Sequence, residues 1–140
     1  MQFVAEFAEF PNGSPCRSSE NVQRVARSIY KTLDADNEHF VLLAMNNKNR
    51  VNGFKVVSTG SLTASLVNPR EVWRAALHLC AAAAVFVHNH PSGDPAPSQE
   101  DQEITRRLKE TGDLLGIRVL DHVVLGDNYR FFSFSDRGLL

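Results

Sequence analysis

The sequence predicts an α/β domain, a mixed β-sheet flanked by helices, and three observations carry that prediction. At 140 residues, with 43% hydrophobic and 22% charged side chains, the chain has the size and balance of one soluble globular domain. Segments with the 3.6-residue apolar period of amphipathic helices alternate with short apolar runs of strand length, in the order α-β-β-α-β-α-β-β. No repeat, low-complexity tract or internal linker breaks that order, which implies helices packed on one mixed sheet.

Residues 1–18 alternate apolar and acidic side chains and then turn Pro/Gly/Ser-rich, so they read as an appended arm or an edge strand. The domain proper spans 19–140. From Ser18-Ser19, the residues Val22, Val25, Ala26, Ile29, Tyr30 and Leu33 recur at helical spacing, and the helix is expected to end near Asp34-Ala35-Asp36-Asn37. Phe40 to Met45 is an apolar run of strand length. The turn Asn46-Asn47-Lys48-Asn49 leads into a second strand from Val51 to Val57, which predicts an antiparallel hairpin. Asn68-Pro69-Arg70-Glu71 combines an N-cap Asn, a Pro at the first helical position and a Glu at the third, opening a helix whose apolar face is Val72, Ala75, Ala76 and Leu79. Ala81 to Val87 is the next strand, and Ser98 opens a helix running to about Leu115, with Ile104, Leu108 and Leu115 toward a core and Gly116 as its stop. Ile117–Leu125 and Tyr129–Phe134 are the last two strands, separated by Gly126-Asp127-Asn128.

Composition excludes several function classes. A net charge of -1 gives no basic field for tight nonspecific nucleic-acid binding, and the local cluster Lys48, Arg50 and Lys55 reads as a solvated hairpin tip. The two cysteines, Cys16 and Cys80, offer neither a disulfide framework nor a CxxC metal knuckle, which fits a reducing cytoplasm. The N-terminal residues lack a cationic leader and no segment approaches membrane-spanning length, so neither secretion nor a membrane is indicated. Oligomeric state is not written in the sequence.

The chemistry concentrates at His88-Asn89-His90-Pro91-Ser92-Gly93-Asp94, followed by Ser98 and Asp101. Side chains on a strand alternate with period two, so His88 and His90 point the same way and can share one ion. The Pro/Gly loop then leads into a helix whose first turn brings Asp101 back toward them. Three protein ligands leave one coordination position open, the mark of a hydrolytic zinc rather than a structural one. Ser98-x-x-Asp101 is equally a capping box, with the hydroxyl and the acid satisfying the helix start. A metal-activated water needs a carboxylate outside the ligand set to handle its proton. Glu38, at the start of a strand running into the core, is the choice; Glu71 is explained by its place in a helix start, while Glu100 and Glu103 face solvent. The Ser98 hydroxyl suits an oxyanion. Asp121-His122 is no catalytic dyad, because adjacent strand residues face opposite ways; a structural or ligand-supporting role is expected. His39 and His78 show no partners.

These residues resemble a known family. Glu38, His88-x-His90, seven residues to Ser98 and two more to Asp101 look like the JAMM motif of the MPN metalloprotease superfamily. Asn68-Pro69-Arg70-Glu71, His88 to Pro95, Pro97-Ser98 and Leu120-Asp121-His122 narrow the resemblance to the RadC-like group, from about Ser18 to the C-terminus. The resemblance implies an MPN/JAMM, cytidine-deaminase-like architecture. It also implies that His88, His90 and Asp101 bind Zn²⁺, about one per chain, with Glu38 as general base and acid and Ser98 assisting the tetrahedral intermediate. The implied activity is a metallopeptidase or isopeptidase acting on a peptide or protein substrate. The 140 residues leave no room for the N-terminal helix-hairpin-helix module of full-length RadC proteins. The competing function is a repair or recombination accessory protein associated with DNA, which the net charge does not support. A zinc deaminase would need H-x-E with P-C-x-x-C, and His90 stands where its Glu would be.

Overall fold

The computed structural model describes residues 13–61 and 67–140. Helix α1 (Ser19–Tyr30) begins where the Ser18 side chain accepts the Asn21 N–H. Helix α2 (Pro69–His78) begins the same way, with Asn68 accepting the Arg70 N–H and Pro69 in the first turn. Helix α3 (Gln99–Leu115) is capped by Ser98 and stopped by Gly116, whose φ of 76° is the left-handed conformation glycine adopts without strain. The strands are β1 (His39–Met45), β2 (Val51–Thr59), β3 (Ala83–Asn89), β4 (Arg118–Leu125) and β5 (Phe131–Ser133).

They form one five-stranded sheet in the order β2-β1-β3-β4-β5. All neighbours are antiparallel except β3 and β4, which are parallel and joined by α3, as a crossover connection requires. The sheet is therefore mixed and, among the described residues, flanked by three helices, as the order of elements predicted, and the first two strands form the expected hairpin.

Strand alternation sorts the apolar residues into two layers. Val41, Leu43, Met45, Val85, Val87, Val123 and Leu125 pack against Val22, Ala26 and Ile29 of α1. Phe40, Leu42, Ala84 and Phe86 pack on the opposite face against Val72, Trp73 and Ala76 of α2 and Ile104 and Leu108 of α3. β1 is buried along its whole length, which explains its continuous apolar run. Each such side chain contributes roughly 1.5–3 kcal/mol on leaving water. Between α2 and α3 the packing is close: a Cβ on Gly112 would stand 2.7 Å from the Trp73 ring, and Trp73 Nε1 donates to Thr111 Oγ1 at 2.7 Å.

Several boundaries differ from the sequence reading. α1 ends at Tyr30 rather than near 34–37, and a turn carries the chain to β1. β5 is confined to Phe131–Ser133, because Asn128 and Tyr129 adopt φ of 49° and 61° and form the two-residue turn closed by Arg130 N–H to Asp127 O. Leu115, expected in the core, is half exposed; Ile117, just past the helix stop, fills that place. Of the expected arm, residues 1–12 lie outside the described residues. Gly13 to Cys16 bond to Asn49 and Val51 beside the start of β2, around an isolated antiparallel bridge between Pro15 and Arg50. Arg50 donates to Gly13 O and Arg17 to Lys48 O, so the hairpin tip fastens that segment. Among the described residues no helix is long and apolar enough to cross a membrane.

Candidate metal centre

His88 ends the apolar run of β3 and is wholly buried on the face covered by α2 and α3, with its ring stacked against Phe40. The neighbouring strand then makes a small irregularity with a large consequence. Ala84 pairs with Val119 but Val85 pairs with Asp121, so Leu120 is an extra residue in β4. Leu120 and Asp121 consequently both lie on the α1 side, and His122 turns to the α3 side, opposite Phe86. Without the bulge, strict alternation would send His122 to the other face.

Re-aimed in this way, His122 meets His88. The separation between His88 Nδ1 and His122 Nε2 is 2.8 Å; His122 Nδ1 lies 2.5 Å from Thr105 Oγ1, and Thr105 donates to Asp101 O at 2.7 Å. The chain of bonds has one consistent proton order. Thr105 gives its proton to the Asp101 carbonyl, so it accepts from His122 Nδ1–H; His122 Nε2 then accepts from His88 Nδ1–H. His88 Nε2 is left with a lone pair. Burial pushes the His122 imidazole well below its ordinary pKa, which keeps it in the neutral form this order needs.

His90 follows the strand and is oriented by the loop. Its Nδ1 donates to Asp94 O at 2.8 Å, which again turns Nε2 inward. The loop itself is fastened to the end of the sheet: His90 N–H bonds Leu125 O, and Gly93 O accepts from Asp127 N–H and from Arg130 Nη2. Gly93 has φ of 93° and faces Asp127 with no room for a Cβ, so that docking depends on glycine. Asp101 comes from the first turn of α3, where both arms of the capping box form: Ser98 N–H to Asp101 Oδ2 at 2.8 Å and Asp101 N–H to Ser98 Oγ at 3.0 Å.

Three acceptor atoms therefore converge. His88 Nε2 and His90 Nε2 are 3.1 Å apart, His90 Nε2 and Asp101 Oδ2 3.1 Å, and His88 Nε2 and Asp101 Oδ1 3.3 Å. Ligands on a tetrahedral zinc, each about 2.0–2.2 Å from the ion, stand roughly 3.3–3.5 Å apart. The donor set thus fits such an ion in both chemistry and spacing, and among the described residues it is the one cluster of three or more His, Cys, Asp or Glu side chains able to hold a metal. Burial acts to raise the Asp101 carboxyl, but the neighbouring His88 and His90 imidazoles and the Ser98 N–H hold it far below the usual carboxylate range. The Asp101 bond raises His90 above its ordinary value. A metal must displace that proton, so its affinity falls at low pH.

Glu38 stands one residue before β1, half buried, with Gly60 N–H bonded to its carbonyl. Its negative charge reaches His90, whose pKa it helps to raise. Glu71 is exposed and paired with Arg74 at 2.8 Å, its carboxylate taking no part in the Asn68 cap, and Glu100 and Glu103 are exposed. Asp121 is buried on the α1 side, where it accepts from Ser133 Oγ, Ser135 N–H and His122 N–H. The pair Asp121-His122 is therefore split between the faces, as alternation predicted, and His122 supports a candidate ligand. His39, without visible partners in sequence, sits between Thr59 Oγ1 and Asp34 O. Thr105 and Asn89 belong to the site and were not legible in sequence; Thr105 meets His122 17 residues away, and the partners of Asn89 lie 50 and 52 residues away.

The RadC-like JAB domain family matches residues 16–139 of the chain. A UPF0758 protein of Geobacter sulfurreducens is 55% identical over 111 residues, which is 79% of this chain and 48% of that protein. One from Trichlorobacter lovleyi is 55% identical over 107 residues, 76% of this chain and 46% of the relative. One from Syntrophotalea carbinolica is 44% identical over 144 residues, covering all of this chain and 63% of the relative. The chain spans about half the length of the first two. With a mixed sheet between helices, the His-x-His end of its central strand and a match over nearly its whole length, the chain belongs to the RadC-like JAB domain family.

Proposed function

We propose that the protein is a zinc-dependent hydrolase of the JAMM type that cleaves an amide bond of a peptide or isopeptide. The observation that carries this reading is the triangle of His88 Nε2, His90 Nε2 and an Asp101 oxygen at 3.1–3.3 Å, each imidazole turned by a bond on its far nitrogen. In this reading His88, His90 and Asp101 hold the ion and leave one side of it open. When bound, zinc would supply Lewis acidity toward a carbonyl and lower the pKa of a water beside it.

The chain's own residues supply the rest. Glu38 takes a proton from the attacking water and returns it to the leaving amine nitrogen, so the carboxylate ends the reaction unchanged. Ser98 Oγ already accepts the Asp101 N–H, and this leaves its own O–H to donate to the oxygen on which negative charge develops. Capping and catalysis then use opposite ends of one hydroxyl. Among the described residues the repair-accessory alternative gains no comparable cluster, and the Arg50 side chain of the basic hairpin tip is engaged with Gly13 O.

The test is a panel of peptide and isopeptide substrates offered to zinc-loaded wild type and to Glu38→Gln. Wild type is expected to cleave at least one of them, while Glu38→Gln retains zinc and loses cleavage by about 100-fold or more. A Glu38→Gln variant that cleaves as fast as wild type removes Glu38 from the reaction.

A further inference from the structure

The residue between the two histidines is more than a spacer. The β1–β3 ladder ends at the pair Phe40 and His88. Continuing that register by one step sets His39 opposite Asn89, and by a second step sets Glu38 opposite His90. Where the backbone ladder stops, the Asn89 side chain takes over. Its Oδ1 accepts the His39 N–H at 2.7 Å and its Nδ2 donates to Asn37 O at 3.0 Å. These are the backbone groups immediately after and before Glu38. The amide can face only one way, because a flip would set two donors and two acceptors against each other.

We propose that Asn89 is the positioning residue of Glu38: a single amide grips the chain on both sides of the carboxylate-bearing residue and ties it to the segment that carries His88 and His90. The inference rests on the role given to Glu38 above. Other groups also hold this corner. The Tyr30 hydroxyl lies 2.5 Å from His39 O, the His39 ring bonds Thr59 and Asp34 O, and Gly60 N–H bonds Glu38 O. Those contacts fix the corner to α1, β2 and the turn before β1. The Tyr30 hydroxyl also reaches Val87 O at 3.1 Å, one residue before His88, and the Asn89 pair adds a hold on both sides of Glu38 from the residue between the two candidate ligands. A misplacement of about 1 Å in such a site costs ~100-fold in rate. Loss of Asn89 should therefore act through Glu38 and leave the ligands in place.

The test uses Co(II) as the probe, since its visible absorption changes with pH as groups around the ion titrate. Wild type, Asn89→Ala, Glu38→Gln and the double variant are loaded with Co(II), and both the metal content and the pH midpoint of the absorption change are measured. About one cobalt per chain is expected in all four. Glu38→Gln is expected to move the midpoint by roughly one pH unit. Asn89→Ala should move it the same way by more than half as much, and the double variant should match Glu38→Gln alone. A wild-type midpoint in Asn89→Ala beside a shifted one in Glu38→Gln overturns the positioning role and leaves that of Glu38 standing. Unshifted midpoints in both variants overturn the role of Glu38 and the inference with it. Loss of cobalt from Asn89→Ala also overturns the inference, since Asn89 would then serve the ligands. If Asn89→Ala fails to fold, Asn89→Ser, which keeps a polar group too short to bridge the two backbone positions, is read by the same criteria.

Discussion

The two halves of the candidate metal centre are built in different ways. His88 stands at the end of a central strand, wholly buried, and is held through His122 and Thr105 by groups that are themselves core. His90 and Asp101 come from a Pro/Gly loop and a helix start, and are held by turn and cap hydrogen bonds: Asp94 O, Gly93 O and the Ser98 capping box. The comparison teaches that one candidate ligand is placed by folding itself and the other two by local backbone chemistry laid on top. Stability and metal binding should then be coupled on the strand side and separable on the loop side.

The sharpest way to break the comparison is to truncate each histidine in the metal-free protein and measure chemical denaturation. His88→Ala leaves a cavity and deprives His122 Nε2 of its partner, and should cost about 2–4 kcal/mol of stability. His90→Ala removes a partly exposed ring on a loop and should cost less than about 1 kcal/mol. Both should abolish zinc binding. Equal losses of stability from the two would erase the distinction.

A subtler probe is Thr105→Val, which removes no ligand atom, although the Thr105 hydroxyl also bonds the Asp101 backbone carbonyl. It removes the acceptor that orients His122 and leaves the His122 Nδ1–H without a partner. Zinc affinity should fall about 10–100-fold while the three ligands stay in place. Competition with a chelator of known affinity reads this directly, and an unchanged affinity would mean that the Thr105–His122 chain does not orient His88.

That chain also marks the limit of what the sequence disclosed. His88-x-His90 and Ser98-x-x-Asp101 were legible because their geometry is local: two residues along a strand, three around a helix start. The fold class and the hairpin followed from periodicity for the same reason. His122 could be excluded from a dyad, yet its partner depended on the parallel register of β3 with β4 and on the extra residue Leu120, neither of which leaves a local signal. Asn89 was passed over because its partners, Asn37 and His39, reach it only through the β1–β3 pairing. Leu115 matched the helical period but fell in the last turn, where Ile117 fills the core instead. The unread parts are those set by strand register and element ends.

The smallest predicted effect is a pH dependence that reverses sign with metal. His90 has a raised pKa in the metal-free fold, so it contributes stability that is fully present below its ordinary value near 6.5 and is lost as pH rises through the raised value. Asp101 has a depressed pKa, so its contribution is present above about 3.9 and is lost only as pH falls toward the depressed value. The His90 contribution to the metal-free protein should therefore fall, by about 1 kcal/mol or less, between pH 6 and 8, against an opposing rise from the buried neutral His122. Zinc-loaded protein should gain over the same range, because the ion binds deprotonated imidazoles. Denaturation curves of metal-free wild type and His90→Ala at both pH values isolate that contribution; a difference between the two that does not shrink as pH rises would contradict this account of His90.

The central claim is that His88, His90 and Asp101 form a zinc site, and elemental analysis of protein purified without chelators tests it most directly. About one zinc per chain is predicted for wild type and essentially none for Asp101→Ala, with the fold of that variant retained by circular dichroism. Wild-type protein free of zinc, or Asp101→Ala carrying as much zinc as wild type, would contradict it.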